Sequence, residues 1–213
     1  MKMIRSTNKS YVYAEWLKRE LYRVKPGLTE SEIFIIENPD LESPEENRKR
    51  EVLLLSKYNR SQIIEKLPAQ LDWYEAIIEE EDVERLFLLP TWDWFLDSGQ
   101  TFQLIRVPSH LSPIRGHRFL MMPNHHKKIE RIPLSENSQP VFIAIASKQN
   151  GPYTIIEGTH GAIKFLMMNR LIGTRCFLGL CDNLSRCYWS IEREDIQTHL
   201  ESLRQMVNLG IMW

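Results

Sequence analysis

A chain of 213 residues, 43% apolar and 26% charged, has the material for one good core and a small second unit. Its 27 Lys and Arg offset 28 Asp and Glu for a net charge of -1, so no global field draws it to a nucleic-acid backbone or an anionic membrane. The apolar stretches, such as VFIAIA at 141–146, fall far short of the roughly 20 residues a membrane span needs. The start, MKMIRSTNKS, lacks the apolar core of a signal peptide, which places the expected location in the cytoplasm.

The first third reads as helical. Ser10 is placed to cap a stretch carrying Ala14, Trp16, Leu17 and Leu21, which stops near Pro26 and Gly27. Thr29 followed by Glu32 has the spacing of a capping box ahead of Ile33, Ile35 and Ile36. Ser43 and Pro44 open another helix, whose apolar face is expected from Val52 to Leu55. Short helices separated by charge suit an appendage on a larger core, so a boundary is drawn at LPAQ, giving a helical N-terminal region over 1–68 and a core domain over 69–213.

From Asp72, WYEAIIEE alternates like a strand, EEDVERLFLL suggests a short helix ending at Pro90, and TWDWFLDSG carries two tryptophans suited to a core or a seam. TFQLIRV after the turn at 97–99 is read as a strand. Residues 112–140 are polar and basic, broken by proline and glycine into loop and short pieces, and Arg115 and Arg118 have the guanidinium chemistry that clamps phosphate or carboxylate oxygens. PVFIAIAS, the turn NGP, YTII, a helix over about 160–170 and RCFLGLC then give strand, turn, strand, helix, strand, followed by an amphipathic helix over about 193–207. The fold class is α+β, with helices packed on a mixed sheet. Cys176, Cys181 and Cys187 are separated by four and five residues without a CxxC pair, a pattern of reduced thiols rather than of a zinc site.

The stretch IIEGTHGAIKFLMMNR, 155–170, concentrates the chemistry: a strand ends in a polar turn and a helix begins, so Glu157, Gly158, Thr159 and His160 point where the unpartnered first-turn amides also point. Glu157, behind two buried isoleucines, is the candidate base and His160 its candidate partner in proton transfer or ligand contact. Gly158, Thr159 and Gly161, with Lys164 one helical turn beyond His160 and with Arg115 and Arg118, are the candidate ligand-binding residues. No metal site is expected.

The segment YTIIEGTHGAIKFLMMNRLIGTRCFLGL resembles the core of the ParB and sulfiredoxin-like fold, in which a strand leads through an acidic, Gly-x-His-Arg-Ala turn into a helix, and the likeness covers roughly 100–190. The family includes chromosome-partitioning nucleotide switches, sulfiredoxins and free-serine kinases, and the resemblance implies a turn that meets nucleotide phosphates or a phosphorylated substrate. Two positions depart from it: Thr159 stands where sulfiredoxins carry their nucleophilic cysteine, and Gly161 where the family carries a phosphate-binding arginine. The expected function is therefore a non-catalytic or weakly catalytic accessory protein that binds a peptide or small-molecule ligand without a cofactor, like the peptide-binding helpers of ribosomal peptide natural-product pathways. The alternative is a nucleotide-dependent small-molecule kinase or NTPase using ATP or CTP with magnesium, with Glu157 as base. Binding to nucleic acid is disfavoured by the charge balance, because only 115–131 is basic.

Overall fold

A computed structural model describes residues 1–58, 60–111, 123–132 and 142–209, with side chains omitted at 22–25, 110–111, 123–124 and 126. Arg115 and Arg118 lie outside the described residues.

The chain is α+β. It opens with β1, Lys2–Thr7, a strand where a helix was expected. KMIRST is too charged to announce itself as a strand, and it is tolerated because β1 lies at the edge of the sheet with mostly exposed side chains. Helix α1, Lys9–Val24, begins two residues earlier than a Ser10 cap allows, and the capping side chain is Asn8, whose Oδ1 accepts from the Tyr11 amide at 2.9 Å. Helix α2, Glu30–Glu37, has the full capping box of Thr29 and Glu32. Helix α3, Pro44–Ser56, has Ser43 as N-cap and proline at its first position. Its buried face comprises Leu53 and Leu54, whereas Val52 is 53% exposed. Arg50 is buried and ties α3 back to α2 and to the loop after it by donating to the carbonyls of Ile35 and Asp40. The short α4, Ser61–Ile64, leads to β2, Asp72–Ile77.

EEDVERLFLL divides into a 3-10 helix, Glu80–Arg85, and the two-residue β3, Leu86–Phe87. TWDWFLDSG contains α5, Trp92–Asp97. The strand expected over 101–107 is instead a 3-10 turn, Leu104–Arg106, running into α6, Val107–Leu111, and among the described residues its ladder contact is the bridge from Gln103 to Phe87. TFQLIRV passes for a strand because Phe102 and Leu104, two apart, turn into the core from a tight coil, and only Val107, three further on, breaks the period. Helix α7, Pro123–Arg131, precedes β4, Phe142–Ala146, β5, Tyr153–Glu157, α8, Thr159–Met167, β6, Arg175–Leu180, and α9, Ile196–Asn208. The expected unit over 140–181 is present from Phe142 onward, with one change: Ile143, Ile155, Ile163 and Phe177 are buried, but Leu166 is only partly so.

Among the described residues the strands form one mixed sheet in the order β1-β2-β6-β4-β5-β3. The central β4 and β6 are parallel, with Ile143 opposite Phe177, and β5 runs antiparallel to β4. Side chains alternate between two cores. Phe142, Ala144, Ala146, Ile155 and Leu178 face α5 to α9, while Ile143, Ile145, Ile156 and Phe177 face α1 to α4. Burial on both faces is why β4 reads as an unbroken apolar run. No helix among the described residues is long and apolar enough to cross a membrane.

Candidate functional site

The turn between β5 and α8 has the local form the sequence calls for. Gly158 is the residue before the helix and sits at φ 82°, ψ 14°, a left-handed conformation that costs a side-chain-bearing residue roughly 1–2 kcal/mol. This bend turns the chain from the last residue of β5 into α8, and the Gly158 carbonyl accepts the first helical bond from the Ala162 amide.

Glu157 does not stand free in the turn. Its Oε2 lies 3.1 Å from the Arg60 guanidinium, its Oε1 accepts from the Gly158 amide at 2.9 Å, and Arg60 also meets Glu20 at 3.2 Å. The pair joins the end of β5 to the segment that leads into α4. To act as a base, Glu157 would have to give up the guanidinium as it took the proton. Burial lowers the Arg19 guanidinium to about 10, against the attraction of Glu15 and Glu157, so a second cation stands near the carboxylate.

Thr159 is buried at the first position of α8. Gly161 lies within the first turn of the same helix. The Lys164 ammonium donates to the carbonyls of Glu130 at 2.8 Å and Ile132 at 2.7 Å, where it caps the C-terminal end of α7.

His160 faces a polar cluster that the sequence did not single out. Its ring lies 5.3 Å from Trp94 and 5.1 Å from His125, centre to centre. Its buried Nε2 meets no hydrogen-bond partner among the described residues. Burial, with the nearby charges of His125 and Lys128, pushes His160 down to about 3, so it is neutral at physiological pH.

His125 is the opposite case. Its Nδ1 bonds Asp97 Oδ2 at 2.8 Å, its Nε2 lies 3.3 Å from Asp93 Oδ2, and Trp94 stacks on its face at 4.2 Å. Burial alone would lower it, but the hydrogen bonds and charges of the two aspartates outweigh burial and raise it to about 9. Asp93 is held further by the Thr91 hydroxyl, and burial, which would raise it, is outweighed by the bonds from His125 and Thr91, so it falls below the ordinary range. The cluster fastens α7 to α5 and gives His160 a cationic neighbour. Its signal was present in WDWFLD: Asp93 and Asp97 share one face of a helix at i and i+4, which becomes visible only once the segment is read as helical.

Among the described residues no group of three or more His, Cys, Asp and Glu side chains is arranged to hold a metal ion. Cys176 and Cys187 are buried and all three thiols are free. No family model, curated protein or solved structure matches the chain.

Proposed function

We propose that the chain is a non-catalytic or weakly catalytic binding protein, an accessory factor for a peptide or small-molecule ligand, with a core of the ParB and sulfiredoxin type. One observation carries the reading: Glu157, the sole acid in 155–170, is engaged by Arg60 and by its own turn amide. A phosphoryl-transfer enzyme needs a base poised to accept the nucleophile's proton, and an acid spent on a structural ion pair is poorly placed for that. The other polar groups of the turn support the same reading. Lys164 is committed to two backbone carbonyls, Thr159 is buried, and neutral His160 offers a ligand a hydrogen bond rather than a charge.

The test is phosphate release and isothermal titration with ATP, ADP and CTP, with and without magnesium, on the parent chain and on Glu157→Gln and His160→Ala. The expected outcome is no turnover by any of the three proteins. Magnesium-dependent hydrolysis by the parent that both variants lose overturns the reading in favour of a nucleotide-using enzyme.

A further inference from the structure

A concave site lies on the face of the sheet covered by α1 to α4. It is a cleft of about 200 Å³ walled by Tyr13, Leu55, Ile64, Leu71 and Trp73. Trp73 and Tyr13 are each only 5% exposed, so the wall is fixed by packing. Gly179 stands opposite Trp73 across the β2–β6 ladder, and a Cβ there would lie 3.0 Å from the indole, so the glycine lets the ring lie against the strand.

The rim carries one cation, Lys9, and two acids, Glu51 and Glu65. Lys9 is paired with Glu51 at 2.6 Å and lies over the Tyr13 ring at 5.1 Å, so that pair is neutral as a unit. Glu65 also lines the cleft and is exposed, with no ion-pair partner among the described residues. Its neighbour Lys66 is drawn elsewhere, its ammonium 4.0 Å from the centre of the Tyr188 ring. The mouth therefore carries one uncompensated negative charge.

Size and charge select the occupant. A volume of about 200 Å³ is below the roughly 300–1,000 Å³ of sites that enclose a drug-sized molecule, so it has room for one bulky side chain and not for a nucleotide. An acidic mouth also repels phosphates. We propose that the cleft takes one bulky apolar side chain of a peptide, with a basic residue next to it in that peptide paired to Glu65. The choice of a peptide rests on the binding-protein reading above, while the cleft stands independently of it.

The full chain, ¹⁵N-labelled, is titrated with the blocked peptides acetyl-Gly-Leu-Lys-Gly-amide and acetyl-Gly-Leu-Glu-Gly-amide and followed by NMR. The lysine peptide is expected to shift the Trp73 indole and the Leu67 and Leu71 amides, with affinity about two- to fivefold tighter than the glutamate peptide, as one exposed ion pair provides. Ala69 lines the cleft and is exposed, so Ala69→Trp fills the mouth at little risk to the fold and should abolish the shifts. Glu65→Lys, an exposed charge reversal, should invert the preference between peptides and carries the test if Ala69→Trp does not fold. No shift at Trp73 with the lysine peptide overturns the proposal, as do equal affinities for the two peptides or unchanged shifts in a folded Ala69→Trp. Nucleotide hydrolysis overturns the binding-protein reading whatever these titrations give. A silent cleft beside a negative hydrolysis assay overturns this proposal alone.

Discussion

His125 and His160 lie 5.1 Å apart, and their surroundings drive them in opposite directions from the same ordinary value of 6.5, to about 9 and about 3. Each leaves its own mark on stability. His125 binds its proton more tightly in the folded state, so its contribution is complete below 6.5 and is lost as pH rises from 6.5 through about 9. His160 binds its proton less tightly when folded, so its contribution is complete above 6.5 and is lost as pH falls from 6.5 toward about 3. Together they place a stability maximum near neutrality. Thermal midpoints measured across this range should fall on both sides, His125→Gln should flatten the alkaline limb, and His160→Phe the acid limb above the carboxylate range. An alkaline limb unchanged in His125→Gln would show that Asp93 and Asp97 do not hold an imidazolium. This pair was only half legible in the sequence. His160 follows from the strand-to-helix switch at Gly158, but His125 reaches its aspartate across 28 positions, a distance no local pattern spans. Glu157 was legible as a turn residue, yet Arg60, which decides what the carboxylate does, comes from a loop far upstream.

Among the elements, α7 has the most telling attachments. It is held at three points: His125 between Asp93 and Asp97, Ile129 in the core, and its last carbonyls under the Lys164 ammonium. PNHHKKIER carries too little apolar surface to bind by burial alone, so polar attachments do much of the holding. Lys164→Met removes the ammonium and keeps most of the aliphatic stem. With two hydrogen bonds lost at roughly 1 kcal/mol each, amide exchange over 125–131 should accelerate by about tenfold or more while β4 to β6 stay protected. Acceleration spread evenly over the sheet would show that Lys164 supports the whole core rather than one helix. Elements differ in legibility for a physical reason. The unit from β4 to β6 is buried on two faces, so its apolar runs and the shift from period two to 3.6 are strong signals. β1 is an edge strand, whose exposed residues answer to solubility, and the 3-10 turns around 104–106 are too short to show any period.

At the scale of the whole molecule, the sheet separates two cores, and the second is built jointly by distant parts of the chain. Val12, Trp16, Leu17, Ile36 and Leu54 from the first third pack on Trp73, Ile143, Ile145, Ile156 and Phe177 from the sheet. β1 adds a strand to the same sheet, with Thr7 opposite Trp73. A fragment of residues 69–213 would therefore expose one face of β2, β4, β5 and β6, including Ile145, which is fully buried in the intact chain. Fully burying a side chain of this size is worth roughly 1.5–3 kcal/mol, so uncovering five of them removes more than a typical domain's whole margin of about 5–15 kcal/mol can readily absorb. The fragment should be insoluble, or should keep far-ultraviolet ellipticity while losing near-ultraviolet signals and binding a hydrophobic dye. Supplying residues 1–68 as a separate chain during refolding should restore solubility, because the face it covers is shaped for those helices and for β1. A soluble 69–213 fragment with a cooperative thermal transition and native near-ultraviolet signals would show that the sheet and its α5 to α9 layer hold together without the first core, and that α1 to α4 rest on a face able to survive in water.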